Sequence, residues 1–406
     1  MNIKKKSWIL FIISLFCIFS FSVLFTIGFF SNYLINKVLW IVILILLIIS
    51  TSAFVFSVYL MGRHKRRRGF KKALTITGNT LVSLYGIGCL CFLFILYGPI
   101  NNFRDWLITT AMGTMNHQYY CKWFYKDTII NKVLGSNYVD EIDEDTDMSM
   151  INKDDDKENY EKDYEKELFE HNERELYNIV KFQINGQDAY MAAIFDPSRI
   201  TVGLSKFYPE SGQYVSTMAK AYNAPFAVNG GGFYDPNGNS KGGTPMGITF
   251  SNGRVITGEP TGTNSGSVIG FTNKDILILK KNTNTTELQQ MGVRDAVTMG
   301  PFLIVNGKPS FISGNGGWGY AARTAIGQRA DGIVLFLVVD SNATRTKGAS
   351  MLDLTQVMQK YGAINAANLD GGTSSVMAVD GEIINDPIDS TGAHKTRGIP
   401  TIFMVK

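Results

Sequence analysis

Three long apolar runs fill the first hundred residues, and no other feature of the chain restricts its folding as strongly. They are SWILFIISLFCIFSFSVLFTIGFF (Ser7–Phe30), VLWIVILILLIISTSAFVFSVYLM (Val38–Met61) and LTITGNTLVSLYGIGCLCFLFILYGPI (Leu74–Ile100). Each exceeds the ~20 residues that a helix needs to cross a hydrocarbon core, and none carries an interior charge. The first is longer than the ~7–15 apolar residues of a signal peptide, and no small-residue cleavage site follows it. The expectation is three transmembrane helices within residues 1–101. Lys4, Lys5 and Lys6 precede the first run, and GRHKRRRGFKK (Gly62–Lys72) separates the second from the third. Short basic loops stay cytoplasmic. This predicts a multi-pass protein of the cell membrane, amino terminus inside and carboxyl-terminal domain outside the cytoplasm. Between two spans the basic run reads as a topology signal in contact with anionic lipid, so a bilayer is a predicted partner and nucleic acid is not.

Residues 102–139 mix apolar and polar positions as an amphipathic helix or helix pair at the membrane interface would. Trp106, Tyr119, Tyr120, Trp123, Phe124 and Tyr125 are residue types enriched at that depth. His117 among these aromatics reads as a packed side chain rather than a ligand. Residues 140–176 follow with a dense acidic run and scattered lysines, which reads as a solvated linker turning helical towards its end. Beyond Cys121 there is no cysteine. A disulfide framework, thiolate chemistry and cysteine-based zinc sites are thereby excluded from the exported part.

From residue 177 to 406 the chain is glycine-rich and β-branched, with turn signals between short apolar runs. Asn185-Gly186, Asn252-Gly253, Asn306-Gly307, Asp331-Gly332 and Asp380-Gly381 each separate two such runs, the strongest short hairpin cue. One helix stands out. Ser350 and Asp353 form a capping pair, Met351, Leu354, Val357, Met358 and Tyr361 share a face, and Gly362 ends it. The expected class is α+β: a hairpin-rich mixed-sheet domain with a few packed helices.

Four stretches end a hydrophobic strand in a cluster of glycine and polar residues: AVNGGGFYDPNGNSKGG (Ala227–Gly243), GYAARTAIG (Gly319–Gly327), IVLFLVVDS (Ile333–Ser341) and NLDGGTSS (Asn368–Ser375). Glycines let backbone N–H groups approach a ligand, so four such tips point to one shared pocket. Familiar motifs fail. GGTPMGIT has Ile248 where a phosphate-binding loop needs lysine, GNGGWG has no helix after it, and DPNGNS has Met246 where a calcium loop needs its bidentate glutamate. His394 has no second histidine at ligand spacing. No cofactor is required, the metal requirement is unknown, and a structural divalent cation of another type stays open. What remains is carboxylates, arginines and hydroxyls: Asp235, Asp340, Asp370, Arg323, Arg397, Ser374 and Ser375. Carboxylates without histidine suit glycosidic cleavage, and arginine suits phosphate.

Taken in order, AVNGGGFYDPNG, TMGPFLIVNGKP, RTAIGQRADGIVLFLVVDS, MLDLTQVMQKYGAINAANLDGGTSSVM and TRGIPTIF resemble the phosphodiester glycosidase family over roughly Ile179 to Lys406. The membrane-anchored bacterial branch, whose members are often labelled exopolysaccharide biosynthesis proteins, is similar also at ITTAMGTMNHQY. The resemblance implies an extracytoplasmic glycosidase acting on a sugar 1-phosphodiester of the N-acetylglucosamine type or on a cell-surface glycan. It matches Asn229, Gly230 and Phe233, with Gly231 between them, to the family's NGxFF-like motif. Arg323 and Thr324 match its Arg-Thr pair, and Asp370, Gly371, Gly372, Ser374 and Ser375 its NLDGGGS signature. Thr373 stands where a third glycine is usual, a change that a left-handed backbone would penalise. On these matches Asp370 is expected to be the catalytic carboxylate, Arg323 the phosphate contact and Asp340 a supporting acid. Asn229 and Ser374 are expected to meet the sugar, and Arg397 is a further phosphate contact. The alternative is a non-catalytic binding or assembly module for exopolysaccharide or a teichoic-acid-like polymer, which Thr373 would favour.

Overall fold

A computed structural model describes residues 3–30, 37–62, 70–99, 101–113, 118–153, 160, 162–236, 240–262, 266–342, 347–389 and 391–406. The short loop after the first run, the core of the basic loop, His117 and the centre of the acidic run lie outside the described residues. The chain divides into two compact units, Met1–Gly135 and Ser136–Lys406.

In the first unit the apolar runs form the helices Ile3–Phe30, Lys37–Gly62 and Phe70–Tyr97. Among the described residues two stretches are long and apolar enough to cross a membrane, Trp8–Phe30 near the amino terminus and Asn79–Tyr97. The expected middle span, Val38–Met61, is not among them, because the described apolar part of that helix, Val42–Ser57, is too short. By length and composition the first stretch suits a signal sequence as well as an anchor. The predicted interfacial segment forms three short helices, Asn101–Met112, Gln118–Phe124 and Asp127–Ser136. Ile108, Cys121, Tyr125, Ile130 and Val133 close over one another in a small core, while Tyr119, Tyr120 and Trp123 point outward. Burial of Tyr125 is made tolerable by its hydroxyl, which donates to the Leu96 carbonyl at 2.9 Å.

In the second unit the turn signals act as expected. Asn185-Gly186, Asn252-Gly253, Asn306-Gly307 and Asp380-Gly381 all have positive φ at both residues, the backbone of a two-residue hairpin turn. Every described strand pair runs antiparallel. The expectation of a mixed sheet is corrected to several antiparallel sheets, two of five strands, one of seven and one of two. Connection length accounts for the pairs of consecutive strands, whose short turns return the chain at once, whereas parallel neighbours need a crossover of a dozen or more residues.

The seven-stranded sheet is the middle layer. Alternate residues of its strands, including Ala192, Ile326, Phe336 and Val338, face a core shared with both five-stranded sheets. Met191, Ala325, Leu335 and Leu337 face the opposite way, against the helix Met351–Lys360. Burial on both sides explains why the strand Val334–Val339 is apolar throughout instead of alternating. The helix carries the predicted capping box, with Ser350 and Asp353 bonded reciprocally.

The acidic segment departs from its reading as a solvated linker. Tyr138–Asp140 pairs with Phe311–Ser313, and Thr146 and the Leu279 backbone exchange hydrogen bonds. Leu168 and Phe169, on the short helix Asp163–Phe169, are fully buried on the outer face of the seven-stranded sheet. Glu141, Glu144 and Asp145 pair with Lys281, Lys308 and Lys280 of the domain. Few apolar residues in an acidic run suffice to dock it when each fills a hole and the charges find lysines.

Candidate active site

The stretch Asn368–Ser375 is the crossing from one sheet to another. The strand Ala363–Asn368 pairs with Arg323–Arg329 in the seven-stranded sheet, whereas Met377–Val379 pairs with Phe226–Asn229 in a five-stranded sheet. The polar residues between them therefore gather the ends of strands from both layers, which explains why the apolar run stops there.

Asn229 is the pin of this junction. It is fully buried; its Nδ2 donates to the Asp370 carbonyl at 2.7 Å, and its Oδ1 accepts from the Thr324 hydroxyl at 2.7 Å and the Val376 N–H at 3.1 Å. The Leu369 N–H donates to the Thr324 carbonyl and the Asp370 N–H to the Gly230 carbonyl. Gly230 must be glycine, since a Cβ there would lie 2.4 Å from the Thr401 hydroxyl. A Cβ on Gly231 would lie 2.7 Å from the Thr298 carbonyl. Gly372 has φ +64°, and Thr373 is not among the described residues of positive φ, so the threonine carries none of the strain that its replacement of a glycine suggests.

Asp370 is held with its carboxylate inward. Its Oδ1 accepts the Gly371 N–H at 2.9 Å, while its Oδ2 is buried with no hydrogen-bond partner. Burial raises its pKa to about 6; the Ser374 hydroxyl, the Gly371 N–H and the Arg397 charge pull back, and the Asp235 charge adds to the rise. Half of the eight buried polar side-chain atoms without a partner, among the described residues, belong to Asn368, Asp370, Ser375 and Thr401 around this crossing. Native interiors leave few such atoms, and their concentration marks a place built for something besides packing.

The two arginines are used differently. Arg323 is buried; its Nε donates to the Ala349 carbonyl at 3.2 Å and its Nη2 to the carbonyls of Trp318 and Gly319 at 2.6 and 3.0 Å. Its guanidinium ties backbone loops together. Arg397 is half-buried, lies 4.6 Å from the centre of the Phe233 ring, and gives Nη1 to Asp235 Oδ2 at 2.6 Å. Burial would raise Asp235, but Arg397 and the Ser240 N–H outweigh it and hold its carboxyl below the usual range. Asp370 and Asp235 thus form two acids pushed apart in pKa beside one cation.

Asp340 is buried one layer behind. Its oxygens accept from Asn385 Nδ2 at 2.7 Å and the Asp386 N–H at 3.0 Å, and Asn385 in turn bonds the Ser375 carbonyl and the Met377 N–H. Burial raises its pKa in spite of these bonds. Asp340 thereby braces the exit of the Asp370 loop. The structure brings Asn229, Gly230, Thr324, Asp370, Gly371, Phe233 and Arg397 to one end of the sheets. Asp235 is the member that family matching leaves out; its signal in the sequence is an acid two residues after the phenylalanine of an NGxFF-like motif.

The raised Asp370 has a measurable consequence. Native Asp370 keeps its proton to higher pH than in the unfolded chain, where aspartate titrates near ~3.9. Its contribution to stability is therefore most favourable below that value and is lost as the pH rises towards about 6. Denaturation midpoints are expected to fall across this window for the native sequence relative to Asp370→Asn, and parallel curves would refute the buried-acid assignment.

Residues 222–406 match the phosphodiester glycosidase family. The SPbeta prophage-derived uncharacterized protein YomE of Bacillus subtilis (strain 168) is 27% identical over 192 residues, 46% of this chain and 29% of that protein. The N-acetylglucosamine-1-phosphodiester alpha-N-acetylglucosaminidase of Bos taurus is 33% identical over 69 residues, 17% of this chain and 13% of that protein. The match thus spans less than a third of either relative. Among solved structures, the zebrafish N-acetylglucosamine-1-phosphodiester alpha-N-acetylglucosaminidase catalytic domain, auto-inhibited by pro-peptide, has a TM-score of 0.49 at 19% identity, covering 58% of this chain and 85% of that one. A putative exported protein from Burkholderia pseudomallei K96243 has a TM-score of 0.41 at 18% identity, covering 54% and 74%. The likeness to the phosphodiester glycosidase family is thus carried by residues 222–406.

Proposed function

We propose that this chain is a membrane-held glycosidase that hydrolyses the anomeric C–O bond of a sugar 1-phosphodiester, outside the cytoplasm, in cell-surface glycan metabolism. The observation that carries the reading is the buried Asp370 carboxylate with Arg397 in electrostatic reach, the guanidinium stacked on Phe233 and anchored at one edge by Asp235. Beyond that ion pair, the arginine's remaining N–H donors are available for the oxygens of a phosphate. The leaving group is a phosphate monoester, which departs as an anion and needs little help from an acid. One carboxylate is then sufficient: ionised Asp370 takes a proton from water as the water oxygen bonds to the anomeric carbon, and the electrons of the breaking C–O bond go to the phosphate. A pKa of about 6 leaves the base ionised at neutral pH without making it too weak to accept a proton.

In this assignment the phosphate contact moves from Arg323 to Arg397. Arg323, Asn229 and Asp340 become positioning residues, because their polar atoms are committed to backbone and side chains of the fold. The Ser374 hydroxyl helps to hold down the pKa of Asp370, and Phe233 supports the guanidinium. The case for a non-catalytic module weakens, since the left-handed residue of the loop is Gly372 and not Thr373. The test is incubation of the full chain in detergent with the methyl phosphodiester of N-acetylglucosamine 1-phosphate in ¹⁸O water. Heavy oxygen is expected in the released sugar and not in methyl phosphate. Label in the phosphate would mean P–O cleavage, and recovery of intact bound substrate would favour the binding module.

A further inference from the structure

Arg397 is paired with one carboxylate, Asp235, and its charge is felt by a second, Asp370. Here it closes on Asp235, whose other oxygen is fixed by the Ser240 N–H at 2.8 Å, so the clasp is immobilised from both sides. Asp235 is itself almost wholly buried, and the Phe233 ring supports the guanidinium from one face. Asp370 is the second carboxylate that Arg397 senses, yet its Oδ2 has no hydrogen-bond partner. Neighbouring side chains on the same loop are engaged elsewhere, Lys395 with Asp389 at 2.8 Å and His394 with Asp386 at 2.7 Å. Were Arg397 to turn to Asp370, the two would neutralise each other, and both the base and the anion contact would be lost.

We propose that Asp235 is a positioning residue that keeps Arg397 off Asp370 and turned towards the phosphate of the substrate; this rests on the assignment of the site to a sugar phosphodiester. The clasp also accounts for a departure from simple pairing. The best electrostatic partner for a cation beside a buried carboxylate is that carboxylate, unless a better-bonded acid competes for it. Asp235 competes well because its carboxylate is stabilised in the ionised form by an N–H donor before the arginine arrives. Removing its charge would release Arg397 to Asp370 and hold Asp370 ionised at lower pH.

The test needs no turnover, so it stays separate from the test of hydrolysis. Sulfate, whose charge is constant over the range, is titrated into the full chain in detergent by calorimetry between pH 5 and pH 8. The native protein is expected to bind sulfate more tightly as the pH falls through about 6, where Asp370 takes up its proton. Asp235→Asn is expected to weaken sulfate binding about tenfold, the scale of one lost charge-assisted contact, and to move the pH step to lower values. Asp235→Glu is expected to restore most of the binding, which a merely structural role would not require. If Asp235→Asn does not fold, Asp235→Ser carries the same comparison. Sulfate binding and a pH step equal to those of the native protein in the uncharged variant would overturn the proposal, as would a native protein that binds no sulfate at tens of millimolar.

Discussion

Asp370→Asn is expected to lower kcat for sugar release by about a thousandfold, or ~4 kcal/mol in the barrier, with KM little changed. Asparagine keeps an oxygen for the Gly371 N–H, so the loop retains its main-chain anchor. What it loses is the proposed base, the acid whose pKa burial raises to about 6. Loss of kcat alone would identify an interaction made in the transition state. The measurement is initial rates of sugar release over a substrate series, with melting curves as a control for folding. Turnover within a few-fold of the native rate in a folded variant would remove Asp370 from the chemistry and leave Asp235 as the next acid to examine.

Asn229→Ala is expected to cost ~3–6 kcal/mol of stability, the largest effect of any single truncation at the junction. The asparagine has no solvent exposure and serves three groups at once: the Thr324 hydroxyl, the Val376 N–H and the Asp370 carbonyl. Each buried group left without its partner costs about 1–3 kcal/mol, and alanine supplies none of the three bonds. Thr324→Val removes only one partner and is expected to cost about 1 kcal/mol. In urea denaturation of the full chain, the two substitutions should be less than additive, because the Thr324 bond is lost in both. An alanine variant as stable as the native protein would mean that the sheets meet without this pin.

How much of this was legible beforehand depends on the range of the interactions involved. Hairpins announced by Asn-Gly and Asp-Gly pairs formed because the left-handed backbone of the turn is a local demand that few residues meet. The helix Met351–Lys360 began where Ser350 and Asp353 could cap it, three residues apart on the chain. The acidic segment was misread because its composition averages over the few residues that matter. Leu168 and Phe169 dock it, and an average cannot show which hydrophobic residues have a cavity waiting. The first unit shows the same limit from the other side. Apolarity locates helices well, but two and not three of its described stretches satisfy the length of a span.

The glycine-bearing stop was legible in the sequence, and the neighbours that it would meet were not. Asp370, Gly371 and Gly372 were visible as a glycine-bearing stop in an apolar run, and the structure shows that stop as a crossing between sheets. Arg323 and Arg397 have the same side chain, and nothing adjacent to either in the chain says that one is enclosed by carbonyls while the other faces an acid pair.

By itself the sequence determined where strands turn, where a helix is capped and which loop carries the acid, since each is decided by neighbours a few residues away. Only the tertiary structure decided that Asn229 and Arg323 hold the frame and that Asp235 and Arg397 sit beside Asp370. Apart from Trp318 and Gly319, close to Arg323 in the chain, those partners lie from 26 to 162 residues apart, and a side chain's work depends on which polar groups packing has left within its reach.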